Sequence, residues 1–191
     1  MPVAPENAVT VQNLLAAFEG ESNAAAKYAA FAIKADEDGL KGAASLFRAA
    51  SRAEQIHAAN HARVIQQLGG EAKCEIHAVE VKTSLENLKT ALGGEQYEID
   101  TMYPNFLAEA EQRGNKAAIR TMTYALEAEK THARLYGEAI TLLAGGKLDS
   151  WISSQRDFYV CPVCGYTSEN EEEHERCPVC NAPWERFEIV K

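Results

Sequence analysis

The chain is expected to fold as an all-α four-helix bundle followed by a small β/loop tail, on three observations. Four long segments carry apolar residues at alternating three- and four-residue spacing. The first two segments look like a copy of the second two, and a pair of Cys-Pro-Val-Cys knuckles closes the sequence. At 191 residues there is room for one mid-sized domain and one mini-domain, not for two full cores.

The first helix is marked by Leu14, Phe18, Ala25, Tyr28 and Ala32, and the second by Ala43, Leu46, Ala50, Val64 and Leu68. Leu85, Leu88, Leu92, Met102 and Phe106 mark the third; Ile119, Met122, Leu126, Tyr136, Ile140 and Leu143 mark the fourth. Each set lines one face of an amphipathic helix. Breakers separate them at Gly39, Gly69–Gly70, Gly114 and Gly145–Gly146. Pro104 falls inside the third segment, where it removes a backbone donor and is expected to kink the helix. Gly39 and Gly114 are 75 residues apart, as are Tyr28 and Tyr103, so two helical hairpins should pack about a pseudo-twofold axis. The 69–80 connection can span about 40 Å when extended, the length of a 25-residue helix, which permits a long crossover between the second and third helices. The expected division is a bundle over 1–146, a linker over 147–158 and a metal-held tail over 159–191.

The formal charge of −9 excludes nucleic-acid backbones and anionic membrane surfaces as partners, since both favour clustered cations. No run approaches a membrane span, and "MPVAPENAVT" lacks the cationic and apolar regions of a secretion signal. Five cysteines, an odd number containing two C-x2-C pairs, point to metal in a reducing compartment, and the cytoplasm is expected.

The apolar stripes have gaps, and the same residue types fill them: Glu21 in the first helix, Glu54, His57 and His61 in the second, Glu95 and Glu98 in the third, Glu129 and His132 in the fourth. Glu54 to Glu129 and His57 to His132 are both 75 residues, and Glu21 to Glu95 is 74. Five carboxylates aimed into one core need protons or cations, because each buried charge costs several kcal/mol. No Lys or Arg lies on the stripes at matching height. Two metal ions meet the need, and one Glu from each of two helices plus Glu-x-x-His from the other two is a carboxylate-bridged dinuclear pattern. Glu98 has no acidic counterpart in the first half, where Ala24 stands. His61, one turn from His57, reads as a hydrogen-bonded structural histidine rather than a ligand. Tyr28 and Tyr103 are either core aromatics or groups that support the ligands. Glu19, Glu127 and Glu138 lie off the stripes and are expected in solvent.

In the tail, Cys161, Cys164, Cys177 and Cys180 have the spacing of a tetrahedral four-thiolate site for iron or zinc. A segment this short is too small for a core of its own, so metal should hold it together. Gly165-Tyr166 after the first knuckle and Pro183-Trp184 after the second resemble rubredoxin, whose site holds one redox iron. Cys74 reads as a free thiol, with Cys74-x2-His77 a weak alternative ligand pair.

Together, "AFEGES" around Glu21, "AEQIH" with Glu54 and His57, "GGEQYEIDTMYPNF" with Glu95, Glu98 and Tyr103, and "EAEKTH" with Glu129 and His132 resemble the rubrerythrin family over residues 10 to 190. The resemblance implies a ferritin-like di-iron bundle with a rubredoxin-like tail. It implies that Glu54 and Glu129 bridge two irons, that Glu21 and Glu95 are terminal ligands, and that His132 holds one iron permanently. At the other iron Glu98 and His57 would exchange with redox state. The acidic stretch between the knuckles departs from the family's pattern.

The leading functional reading is a peroxidase that reduces hydrogen peroxide to water in oxidative-stress defence, with Glu98, His57, Tyr28 and Tyr103 as candidate catalytic residues. Electrons would return through the tail iron from a rubredoxin or an NAD(P)H-dependent reductase, in a homodimer. The alternatives are a ferroxidase that handles iron as ferritin does, and a structural or binding module with zinc in its tail.

Overall fold

The computed structural model describes residues 3–145, 153–170 and 175–191. Gly146, positions 147–152 of the expected linker and the acidic positions 171–174 lie outside the described residues. Five α-helices, α1 (Ala8–Glu37), α2 (Lys41–Gln67), α3 (Ser84–Tyr97), α4 (Tyr103–Gln112) and α5 (Lys116–Ala144), build a four-helix bundle, because α3 and α4 together form its third member. A π-helical turn over Glu98–Met102 joins those two. Helix α1 packs chiefly on α2, and α3 and α4 on α5.

The two hairpins are repeated down to their turns. Gly39 and Gly114 adopt φ of +74° and +64°, a region open to glycine and costly for other residues. In each case the next residue reaches back five positions, Leu40 N–H to the Ala35 carbonyl at 2.8 Å and Asn115 N–H to the Ala110 carbonyl at 3.1 Å. This bond closes the last helical turn as a glycine C-cap does. Thr83 and Glu86 form a reciprocal capping box at the start of α3, and the Asn115 side chain accepts from Ala118 N–H at the start of α5.

The third helix is where the copies differ. Glu21 to Tyr28 is seven residues, and Glu95 to Tyr103 is eight. A π turn accommodates one extra residue in a helix, and here Tyr103 N–H bonds to the Glu98 carbonyl five positions back. The spacing of 74 rather than 75 between Glu21 and Glu95 therefore has a structural cause. Pro104 does not break the helix by its missing donor; it sits in the first turn of α4, just past the widened turn, where no such donor is needed.

Residues 68–83 form the long crossover between α2 and α3. Asn23 of α1 fastens it, donating to the Glu75 carbonyl at 3.0 Å and accepting from His77 N–H at 2.8 Å. Two apolar clusters fill the bundle, one around Phe31, Leu46, Phe47, Leu88, Leu135 and Tyr136, the other around Leu14, Val64, Ile65, Met102 and Met122. The acidic residues form a layer between them. Among the described residues no helix is long and apolar enough to cross a membrane.

The tail is a three-stranded antiparallel sheet, β1 (Phe158–Val160), β2 (Thr167–Ser168) and β3 (Glu188–Val190), in the order β2-β1-β3. Phe158 and Val160 are fully buried in the first bundle cluster, so the sheet shares a core with the helices. Arg52 of α2 grips Glu188 through two bonds of 2.6 and 2.8 Å, and Arg48 donates to the Lys191 carbonyl.

Candidate metal centres

Glu21 comes from α1, Glu54 and His57 from α2, Glu95 from α3, and Glu129 and His132 from α5; none is more than 1% exposed. Their ligand atoms gather into two overlapping groups, each within 4.8 Å. One is Glu21, Glu54, His57 and Glu129, and the other is Glu54, Glu95, Glu129 and His132. Each group thus has its own glutamate and histidine and shares Glu54 and Glu129. The i, i+3 spacing of Glu-x-x-His places both side chains on one helix face. His57 Nδ1 lies 2.8 Å from Glu54 Oε2 and 2.9 Å from Glu129 Oε1, and His132 Nδ1 lies 2.8 Å from Glu129 Oε2.

The tyrosines cross between hairpins. Tyr28 of α1 donates to Glu95 Oε1 at 2.7 Å, and Tyr103 of α4 donates to Glu21 Oε1. Both therefore support the ligands, each serving the glutamate of the opposite hairpin. Glu98, in the π turn, is half-buried and belongs to neither group. Its Oε1 lies 4.0 Å from where a Cβ on Gly20 would sit. Cys74 is a free, half-buried thiol, and among the described residues Cys74 and His77 join no metal-capable group.

A carboxylate cluster this buried must be neutralised. Burial, followed by the Glu54 charge, raises the pKa of Glu21; burial and the Glu129 and Glu54 charges push Glu95 well up. Burial raises Glu98 too, helped by Glu21, Glu129 and Glu54. At Glu54, burial and the Glu129 charge act upward, but hydrogen bonds from His132 and His57 outweigh them and lower its pKa. Glu129 ends lowered as well, with the His57 charge the main force opposing burial. Negative charge is thus favoured on the shared carboxylates and disfavoured on the outer ones, an imbalance that bound cations would relieve.

The residues fit a pair of metal ions. Glu21 Oε2, Glu54 Oε1 and Glu95 Oε2 are buried without a hydrogen-bond partner, an arrangement that inward-facing ligand atoms explain. Both histidines turn Nδ1 to the carboxylates and Nε2 to the tail. His57 Nε2 is 3.0 Å from the Cys164 carbonyl, and His132 Nε2 is 3.1 Å from Thr167 Oγ1, whose hydroxyl donates to the Gly165 carbonyl at 3.1 Å. Those acceptors keep hydrogen on Nε2, so that a metal ion displacing the Nδ1 proton would find its lone pair directed at the cluster, as outer partners of metal-bound histidines do.

In the tail, the four cysteine sulfurs lie within 4.8 Å of one another, with Cys161 to Cys180 and Cys164 to Cys177 both 3.5 Å. The knuckles match. Gly165 N–H bonds to the Cys161 carbonyl and Asn181 N–H to the Cys177 carbonyl, both at 2.9 Å, and both residues have positive φ, +80° and +62°. Hydrogen bonds with Cys161 and Cys177 push the Cys164 thiol's pKa up, as expected of sulfurs crowded together without a cation. Asn60 Nδ2 of α2 adds a bond of 2.8 Å to the Val163 carbonyl of the tail.

Thr167, Thr121 and Tyr136 bear on the site and are silent in its motifs. His61 is structural, as its sequence suggests, but its bonds run to Tyr103 and Thr121, at 3.0 Å each. Burial pushes its pKa down to about 4, so it is a neutral ring. The signal that finds these residues is the repeat itself: at 75-residue spacing His61 faces Tyr136, and Thr121 faces Leu46.

Comparison with known proteins agrees with this geometry. Residues 12–140 match the family model for rubrerythrin, and residues 159–188 match that for the rubrerythrin rubredoxin-like domain. Rubrerythrin-2 of Clostridium acetobutylicum is 37% identical over 184 residues, covering 96% of this chain and 97% of that protein. Nigerythrin of Nitratidesulfovibrio vulgaris is also 37% identical, over 93% of this chain and 85% of its own length. A solved structure of fully reduced, all-ferrous nigerythrin superposes with a TM-score of 0.83 at 35% identity, over 94% of this chain and 86% of that one. A Desulfovibrio desulfuricans bacterioferritin, 20% identical with a TM-score of 0.68 over 78% and 90% of the two chains, shares the fold. With both family models matched and relatives this similar along nearly the whole chain, this chain belongs to the rubrerythrins.

Proposed function

We propose that the chain is a di-iron peroxidase that reduces hydrogen peroxide to water, with a single iron in its four-cysteine tail as the electron inlet. Two ferrous ions in the bundle supply two electrons, which with two protons convert one peroxide molecule to two waters. The protein's own groups do the rest. Glu54 and Glu129 would be shared by the two irons, Glu21 and Glu95 would each hold one, His132 would be a fixed ligand, and Glu98 would alternate with His57 at the other iron. Glu98 lies outside both ligand groups, and the charges that act on it most strongly are those of Glu21, Glu129 and Glu54. That suits a carboxylic acid that hands a proton to a departing oxygen and is reprotonated from solvent. Tyr28 and Tyr103 would hold the outer glutamates in place while Glu98 and His57 exchange.

The observation that carries the reading is the His57 Nε2 to Cys164 carbonyl distance of 3.0 Å. It connects a ligand of one centre to a ligand-bearing residue of the other through one hydrogen bond. A dinuclear site that turns over needs electrons singly, and a four-thiolate iron carries one. A rubredoxin or an NAD(P)H-dependent reductase is the proposed donor, acting on a homodimer. The free cysteines of the described residues suit a reducing compartment such as the cytoplasm. The proposed division is a bundle over 1–146, a linker over 147–158 and a tail over 159–191, with Phe158 at the last junction already in β1.

The test is anaerobic, fully reduced protein mixed with peroxide or with dioxygen, with visible spectra of both centres. Peroxide should oxidise the bundle faster than dioxygen, and the tail should follow and turn red. Faster oxidation by dioxygen would favour a ferroxidase and overturn the proposal. A Glu98→Ala variant should be inactive, and unchanged turnover would remove Glu98 from the mechanism.

A further inference from the structure

The outer glutamates are capped alike, but what stands behind each cap differs. Behind Tyr103 is His61, with Nε2 3.0 Å from the phenolic oxygen, and behind His61 is Thr121, with Oγ1 3.0 Å from Nδ1. His61 and Tyr103 are wholly buried, and Thr121 borders a cleft of about 230 Å³ walled by Asn60, Arg63, Arg120 and Tyr124. Behind Tyr28 stands Tyr136, at the position equivalent to His61, with ring centroids 5.7 Å apart. The Tyr136 hydroxyl has no hydrogen-bond partner, and the position equivalent to Thr121 is Leu46, deep in the apolar core. One side has a polar chain that reaches a cleft, and the other stops in hydrocarbon.

Counting protons fixes the direction of that chain. Tyr103 has one O–H and gives it to Glu21, so its oxygen accepts from His61 Nε2–H. A neutral ring protonated at Nε2 has a bare Nδ1, which accepts the Thr121 O–H. Every donor points toward Glu21, and an oxygen that accepts a hydrogen bond becomes a stronger donor in turn. If the Thr121 hydroxyl is removed, only the Tyr103 oxygen still favours this tautomer, and Nδ1 is left without a donor. A ring protonated at Nδ1 offers Nε2 as an acceptor, which competes with Glu21 for the single Tyr103 O–H.

We propose that Thr121 and His61 are positioning residues for Glu21. They fix the imidazole tautomer so that Tyr103 donates to this carboxylate, and so set the affinity of the metal position on the His57 side alone. The proposal rests on the dinuclear reading of the cluster but not on the identity of the oxidant.

The test uses the full chain with its tail loaded and the bundle freed of iron by chelation. With diamagnetic zinc in the tail, ¹⁵N NMR of the His61 ring should show hydrogen on Nε2 and a bare Nδ1 in the wild type, and mixed tautomers in Thr121→Val. Anaerobic titration with ferrous iron should load two positions in the wild-type bundle. In the nearly isosteric Thr121→Val one position should keep its affinity and the other weaken about tenfold, the worth of a hydrogen bond to a charged group. Thr121→Ser should restore both, and Tyr136→Phe should leave both unchanged. Hydrogen on Nδ1 in the wild type, wild-type affinity at both positions of Thr121→Val, or equal weakening of both would each overturn the proposal. A wild-type bundle that takes up no ferrous iron would overturn the dinuclear reading and the proposal with it. That failure is distinct from one in which wild type and variant both bind two ions.

Discussion

The two helical hairpins agree wherever metal ligands are built and disagree just outside them. Glu54 and His57 repeat as Glu129 and His132, Tyr28 repeats as Tyr103, and the Gly39 turn repeats as the Gly114 turn. The departures are the extra residue in the π turn, Glu98 where the first hairpin has Ala24, His61 against Tyr136, and Thr121 against Leu46. Glu98, His61 and Thr121 all bear on the Glu21 and His57 side. Duplication supplies a symmetric cage, and a few substitutions make its two positions unequal.

The hardest blow to both positions at once is Glu129→Ala, because each group contains Glu129. Ferrous iron held by the bundle should fall below about one ion per chain, whereas Glu95→Ala should drop it only from about two to one, by iron analysis after gel filtration. If both variants lose the same amount, the shared-ligand arrangement is wrong. Gly165→Ala should separate the two histidines. A Cβ there would sit 2.2 Å from His57 Nε2, at a φ of +80°. The backbone alone costs about 1–2 kcal/mol, and His57 must move as well. The His57 ring resonances should shift and those of His132 stay, with a lowered thermal midpoint.

Thr167→Val makes the converse cut. It takes the acceptor from His132 Nε2 and should cost about 1–3 kcal/mol in denaturant unfolding, with His57 untouched. Among the tyrosines, Tyr103→Phe should cost about 1–3 kcal/mol because it strips a donor from buried Glu21. Tyr136→Phe should be neutral or stabilising, by at most about 1 kcal/mol, since its hydroxyl has no partner to lose. Equal losses in these two variants would show that the asymmetry behind the caps has no energetic weight. The smallest effect should come from Arg52→Ala. Its pair with Glu188 is two-pronged but 38% exposed on both sides, so about 1 kcal/mol or less is expected, weakening further in salt.

The clustering of the candidate ligands was legible in the sequence because buried charge is rare, and its spacing survives duplication. Glu21, Glu54, His57, Glu95, Glu129 and His132 stand on apolar stripes, where a solvated residue would not repeat. The knuckles were legible for the same kind of reason, since four thiols at fixed spacing have few other uses. Pro104 was expected to kink the third helix by removing a donor; what the structure shows is one extra residue opening a π turn at 98–102, with Pro104 following it in the first turn of α4. The crossing of Tyr28 to Glu95 and of Tyr103 to Glu21 was not legible, because helical phase predicts neighbours on one helix and not partners across a bundle. Nor was the reach of Thr167 to His132, which depends on where the tail seats.

His57 and His132 each serve two masters, with Nδ1 in the carboxylate cluster and Nε2 on the tail. A cation that draws electron density from Nδ1 makes Nε2–H more acidic and its bond to the tail stronger. Loading the bundle and seating the tail are then coupled equilibria, and the coupling is reciprocal by thermodynamic necessity. Whatever factor metal adds to the tail's grip, the seated tail returns to the metal. The position of the tail becomes a gauge of what the bundle holds.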